Sequence, residues 1–347
     1  AAPPDAIRPG REPPGRTLPS GIATMTKPKV LLTRRWPDAV ERAMAERFDL
    51  TPNRTDRPLG PSDFRQAFGQ FDAVCPTVSD KLGAEVFDLA DARTRILGNY
   101  GVGVSHIDLD RARALRMTVS NTPDVLSECT ADLAMTLLLM AARRVGEGER
   151  QLRSGSWVGW HPTHMIGTKV SGATLGIIGF GRIGQAMAQR AHFGFGMKIL
   201  VQNRSPVAPE ILARYEAEQV ASVDDLLPRC DFVSLHCPGG RANARLIDGR
   251  RLDLMRPGAF LINTARGELI DEQALAQALW FGTIAGAALD VFEREPAIPE
   301  ELMGADNLVM LPHLGSATDR TREAMGFKVM ENLTAFFAGQ PLPDRVV

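Results

Sequence analysis

Residues Leu175–Gly184 read LGIIGFGRIG, an apolar run followed by glycines at 179, 181 and 184. A helix-like segment starts at Arg182, and a strand, a turn and a helix with this glycine spacing suit a dinucleotide. Gly179 permits the tight turn, Gly181 lets the backbone approach a pyrophosphate, and Gly184 lets helix and strand pack closely. Free N–H groups and the positive end of the helix dipole complete an anion site. The next strand-like run, KILVQNRS over 198–205, has Asn203 where an acid would bind the ribose hydroxyls of NAD(H). An acid there would repel a 2′-phosphate. Asn203, Arg204 and Ser205 remove that charge and offer a guanidinium and a hydroxyl, so NADP(H) is expected as the preferred cofactor, with NAD(H) the alternative.

Three further patches carry groups able to bind anions and move protons: INTARG with Arg266, LDVFEREP with Asp290 and Glu295, and LPHLGSAT with His313. Each follows a strand-like apolar run, and ligands gather beyond the carboxyl ends of strands in open α/β sheets.

The elements that must position these groups alternate between short apolar runs and helical segments. Strands are expected at 30–33, 73–77, 96–98 and 118–120. Helices are expected at 39–48 and near 84–89. A long helix over 126–146, apolar all round at its centre, reads as a buried connector. A second series of six strands follows, at 175–178, 198–201, 232–236, 259–263, 285–289 and 308–311. The final helix, 318–337, is placed to cross back onto the first block. The expected fold is α/β: two doubly wound, parallel-sheet, Rossmann-like domains with a cleft between them. The expected division is a proline-rich disordered arm over 1–24, a discontinuous substrate domain over 25–123 and 318–347, and a dinucleotide-binding domain over 124–317.

Composition sets the outer limits. The 347 residues are 44% hydrophobic and 23% charged, enough to fill two cores. The net charge of −1 excludes a global field for nucleic acid or anionic membrane. The longest apolar stretch is too short to span a bilayer. Four scattered cysteines (75, 129, 230 and 237) suggest reduced thiols in a cytoplasmic protein rather than a disulfide scaffold. No secretory signal is visible, and the prolines of the arm count against a transit helix. His161 and His164 lack the carboxylate or thiol partners of a metal site, so no metal is expected.

Taken together, GFGRIG, NTARG, DVFEREP and PHLGSAT, in this order and spacing, resemble the NAD(P)-dependent D-2-hydroxyacid dehydrogenase family over about residues 28–347. Within it the chain is most similar to glyoxylate/hydroxypyruvate reductases, in WVGWHP (157–162), in the NRS loop and in the HLGSAT ending. The resemblance implies reduction of a small 2-keto acid. His313 would be the proton donor and Glu295 the partner of its imidazole, fixing the tautomer and favouring the imidazolium. Arg266 would hold the substrate carboxylate and polarise the ketone. Backbone N–H groups of Val102 and Gly103, in a glycine-rich loop suited to an anion nest, would take the carboxylate, and Val78 would wall the pocket. On the cofactor side the resemblance carries over Arg182 and Ile183 at the pyrophosphate, Pro238 near the adenosine and Thr264 near the nicotinamide ribose, with Cys237 and Ala265 also expected to bind the cofactor. Asp290 would face the carboxamide and Gly315 the nicotinamide.

A tryptophan from a partner subunit matches Trp160, which implies a homodimer. His106 is read as structural. CPGGRANAR (237–245) departs from the family pattern, which leaves the detail of that loop open. The chain shows no C-terminal regulatory domain, against the long type of phosphoglycerate dehydrogenase. Two alternatives stay open: a different D-2-hydroxy acid as substrate, or a dinucleotide-sensing protein resembling transcriptional corepressors.

Overall fold

The computed structural model describes residues 26–347, so the expected arm over 1–24 lies outside the described residues. Two parallel sheets organise the rest. The first contains β1 (Lys29–Leu32), β2 (Asp49–Thr51), β3 (Ala73–Cys75), β4 (Ile96–Gly98) and β5 (Thr118–Ser120), in the order β2-β1-β3-β4-β5. The second contains β6 (Thr174–Ile178), β7 (Lys198–Gln202), β8 (Glu218–Gln219), β9 (Phe232–Leu235), β10 (Phe260–Asn263), β11 (Gly286–Leu289) and β12 (Leu308–Met310), in the order β12-β11-β10-β9-β6-β7-β8. The central strands β3, β4, β9, β10 and β11 are buried along their whole length. They therefore read as largely apolar runs without alternation, the pattern of parallel strands covered on both faces.

Strand order reverses between β1 and β3 in one sheet and between β6 and β9 in the other. Loops leaving the carboxyl ends on either side of such a reversal splay apart and open a crevice. The loops after β1, β3 and β4 and those after β6, β9, β10, β11 and β12 all line one cleft.

Two edge strands, β2 and β8, were not expected. They are short (DLT and EQ) and lie at sheet edges, where no apolar run is required. The helix expected near 84–89 is a single 3₁₀ turn, Ala84–Phe87. Leu82, just before it, is tied to the backbone at residues 106 and 108, which leaves little chain for a longer helix.

The long helix expected over 126–146 is two helices, Ser127–Ala142 and Val145–Arg153. Arg144 breaks them with a left-handed φ of 53°. The Ala142 carbonyl accepts from the returning backbone N–H of Thr168 at 2.7 Å. Gly167 backs this contact, where a Cβ would fall 2.5 Å from the same oxygen. The first helix packs Ala131, Leu137 and Leu138 with Leu175, Ile177 and Phe232 of the second sheet.

The last helix, Asp319–Phe337, starts from Thr318, whose hydroxyl accepts from Thr321 N. It lies against the first sheet, burying Met325, Val329 and Leu333 with Val30, Leu32 and Ile96. Gly98 makes room for it: a Cβ there would fall 2.8 Å from Val329. The chain therefore passes between the sheets twice, once after β5 and once after β12. The final residues run antiparallel beside β5. Val346 N donates to Val119 O at 2.7 Å, and Asp344 bonds both Asn332 and Lys328. No helix among the described residues is long and apolar enough to cross a membrane.

Leu333 is fully buried, so Leu333→Ala should lower unfolding free energy by about 2–5 kcal/mol in urea titrations. An unchanged midpoint and slope would mean that this helix does not belong to the core of the first sheet.

Candidate active site

A cleft of about 1480 Å³ lies between the two sets of loops. On one side the GFGRIG segment forms the turn between β6 and the helix Arg182–Gln189. Gly179 has φ +92° and abuts the next loop, where a Cβ would fall 2.5 Å from Cys237 N. Gly184 lies against the Gly179 carbonyl, with no space for a side chain. At Gly181 a Cβ would meet nothing within 4 Å, because this glycine borders open space in the cleft. The helix begins there with no side-chain cap, so its first N–H groups are available to an anion. Farther along, Thr264 has a buried hydroxyl with no partner among the described residues. An uncapped helix end, an open glycine and an orphaned hydroxyl along one cleft fit a dinucleotide. Arg182, Ile183, Cys237, Pro238, Ala265 and Gly315 line the same cleft.

Asn203 lies beside the glycine turn. Its Oδ1 accepts from Phe180 N at 3.1 Å and its Nδ2 donates to Ser205 O at 3.0 Å. Gln219 donates to Ser205 O and accepts from Val207 N, so residues 203–207 form a braced loop. Arg204 and Ser205 are exposed on it.

The acid–base groups come from the loops after β11 and β12. His313 Nδ1 lies 2.8 Å from Glu295 Oε2, and Glu295 Oε1 accepts from Phe292 N at 3.0 Å. Burial works against the Glu295 charge. The hydrogen bond and charge of His313, the Phe292 amide and nearby Arg266 outweigh it and hold the carboxyl below its usual range. His313 has a left-handed φ of 55°. Buried Asp290 braces that conformation. Its backbone carbonyl accepts from His313 N at 2.9 Å, and its carboxylate oxygens accept from Leu314 N and Gly315 N at 2.6 and 2.8 Å. Burial pushes the Asp290 carboxyl up, opposed by those amides. Asp290 lines the cleft, but both of its oxygens are engaged in holding the His313 loop.

Arg266 is partly buried in the loop after β10, and desolvation lowers its pKa while Glu268 and Glu295 oppose that shift. Its Nη1 donates to Ala265 O. Asn263 fixes the loop by donating to Arg266 O and accepting from Ala265 N. The guanidinium reaches the first sheet's loops and lies directly against Gly103, where a Cβ would displace it. Val102 and Gly103 line the cleft beside it, and Val78 packs on Gly101, where a Cβ would fall 2.8 Å from its Cγ1. The arrangement places a partly buried cation, a pair of backbone amides lining the cleft and a carboxylate-bound imidazole around one space. It can bind an anion and deliver a proton next to it.

Trp160 is not in the cleft of its own chain. It is 81% exposed on a surface loop beside Trp157 and Val158. His161 and His164 in the same loop bond Thr163 and Gln151. Two residues that brace the loops of the cleft were not singled out from the sequence. Glu268 fastens the 237–245 loop by accepting from Gly240 N at 2.6 Å, and Thr130 donates to Gly315 O at 3.2 Å. Glu268 lies only two positions beyond Arg266, which is the one hint of its place. Thr130 sits inside an apolar helix with none.

Comparison with known proteins adds an independent line. Residues 135–315, more than half of the chain, match the D-isomer specific 2-hydroxyacid dehydrogenase NAD binding domain. The chain is 44% identical to the glyoxylate reductase of Thermococcus onnurineus over 324 residues, covering 92% of this chain and 96% of that one. It is 36% identical to the glycerate dehydrogenase of Hyphomicrobium methylovorum, covering 91% and 98%. Among solved structures it is similar to an NADPH-dependent glyoxylate/hydroxypyruvate reductase from Sinorhizobium meliloti in complex with NADP and malonate. That match has a TM-score of 0.83 and 32% identity, covering 93% of this chain and 97% of that one. The match spans both sheets and the cleft between them, so the chain belongs to the D-isomer-specific 2-hydroxyacid dehydrogenase family and is an oxidoreductase that uses a nicotinamide cofactor.

Proposed function

We propose that this enzyme reduces a small 2-keto acid, glyoxylate to glycolate or hydroxypyruvate to D-glycerate, with NADPH as donor. The observation that carries this reading is the His313–Glu295 pair in one cleft with the partly buried Arg266. Relatives named for glyoxylate and glycerate chemistry support the substrate class.

The substrate carboxylate lies against the Val102 and Gly103 amides and the Arg266 guanidinium. Partial desolvation of Arg266 strengthens its interaction with an anion. The nicotinamide, when bound, supplies the hydride. Glu295 holds His313 by Nδ1, so Nε2 is the ring nitrogen left to face the ketone. Nε2 gives its proton to the oxygen as charge develops there, and the ring is left neutral with Nδ1–H still bonded to Glu295. Asp290 keeps the ring aimed by holding the backbone on both sides of its loop.

In this reading 25–123 with 318–347 forms the substrate domain and 124–317 the dinucleotide domain. Arg204 and Ser205, exposed beside the glycine turn, receive the 2′-phosphate, and Trp160 completes the site of a second copy in a homodimer.

His313→Ala should lower kcat for glyoxylate by about 10²–10⁴ while NADPH affinity stays near that of the parent enzyme. Loss of NADPH binding would remove the proton-donor assignment. Initial rates with NADPH and NADH side by side test the cofactor. The parent should favour NADPH by about tenfold or more in kcat/KM, a difference of about 1.4 kcal/mol, and Arg204→Ala should erase most of that preference. Equal losses with both cofactors would overturn the 2′-phosphate assignment. Because the Glu295 pKa is depressed on folding, the stabilisation it brings is present above the ordinary carboxylate range and is lost as pH falls through the folded value. The stabilities of the parent and of Glu295→Gln should therefore differ near neutrality and converge below about pH 4. A gap that persists in acid would show that the charge on Glu295 is not what stabilises the loop.

A further inference from the structure

The loop after β4 presents two backbone N–H groups to the cleft, and its conformation has an identifiable cause. Asn99, fully buried at the end of β4, donates from Nδ2 to Gly101 O at 2.9 Å and to Gly103 O at 3.0 Å. Thr122 N adds a second donor to Gly101 O at 3.1 Å. Asn121 Nδ2 donates to Val102 O at 2.8 Å. In a trans peptide the C=O and the following N–H point in opposite directions. With the Gly101 carbonyl drawn toward Asn99, the Val102 N–H faces away from it. With the Val102 carbonyl drawn toward Asn121, the Gly103 N–H faces away in turn. Neither N–H donates to any group among the described residues.

Asn99 is itself held. Its Oδ1 lies 3.0 Å from His106 Nε2. Asn99 spends its amide hydrogens on the two loop carbonyls, so Oδ1 must accept and His106 must carry its proton on Nε2. The backbone on either side of this histidine is pinned: Leu82 N donates to His106 O, and Ile107 N donates to Val104 O. We propose that Asn99 and His106 are positioning residues for substrate binding: a His106–Asn99 relay turns the Gly101 carbonyl inward and so aims the Val102 amide at the carboxylate, and by holding the Gly103 carbonyl it fixes the loop in which Asn121 aims the Gly103 amide.

The inference rests on the reading above that those amides receive the substrate carboxylate. It explains why this histidine lines the cleft without contacting the acid–base pair. It also requires a neutral ring. Burial, reinforced by the Arg266 charge, pushes His106 down to about 4, so it stays uncharged at physiological pH. A charged ring would still donate to Asn99, but it would bring a second cation beside Arg266 at a cost that burial opposes.

The test compares His106→Leu, which removes the donor, with His106→Gln, whose side-chain amide can donate from a similar position. A third variant, Asn99→Asp, keeps the acceptor and loses both donors. Each NADPH-loaded protein is titrated with oxalate by calorimetry, and KM and kcat for glyoxylate are measured in parallel. His106→Leu and Asn99→Asp should weaken oxalate binding and raise the glyoxylate KM by about tenfold, equivalent to about 1.4 kcal/mol. The NADPH Kd should stay constant and kcat should fall less than KM rises. His106→Gln should recover most of the loss. Oxalate binding unchanged in all three variants overturns the relay, and so does a parallel loss of NADPH affinity, which would mark a general structural role. The same holds if His106→Gln is as poor as His106→Leu. A parent protein that binds oxalate but turns over no 2-keto acid would refute the proposed function, and the oxalate affinities of the three variants would still decide for or against the relay.

Discussion

The contact of Arg266 with Gly103 is the constraint on which the candidate site depends. A partly buried guanidinium from the second sheet's loops lies directly against a glycine from the first sheet's loops, so a side chain there would displace it. Burying a cation without a carboxylate bonded to it is costly. Arg266 offsets part of that cost through the Ala265 carbonyl and the charges of Glu268 and Glu295. What remains is an unsatisfied cation facing a cleft, the condition under which an anion binds strongly. Neither sheet alone could create it, because each supplies only one wall.

The other groups are arranged around that cation by short backbone braces rather than by long-range packing. Asp290 grips the amides after His313, Asn263 grips the loop of Arg266, and Glu268 grips Gly240. Each brace is a side chain at or near the carboxyl end of a strand that bonds a loop a few residues away or on the neighbouring strand. The parallel sheets make this possible by delivering loops of both sheets to one edge.

Much of this was legible in the amino-acid order because the chemistry is written in contiguous patches. The glycines of 179–184 and the stretches around Arg266, Asp290, Glu295 and His313 each follow an apolar run that must be a buried strand, so their place at the strand ends follows from the pattern. The edge strands β2 and β8 were not legible, since a half-exposed edge requires no apolar signature. Nor was the break at Arg144, which depends on Thr168 returning from a distant loop to take the Ala142 carbonyl. Asn99 and His106 are seven residues apart in a loop with no regular period. Their bond is a tertiary fact that spacing does not encode.

The two passages of chain between the sheets also limit how the cleft can change width. One runs from β5 into the helix Ser127–Ala142, the other from β12 into the helix Asp319–Phe337. A body joined to another by a single strand can swivel freely, whereas one joined at two points can turn only about the line through them. Any rotation of the walls that carry Gly103 and Arg266 against one another is confined to the line through these two connections. Sideways slippage, which would misalign the cation and the amides, is opposed by the covalent connectivity itself.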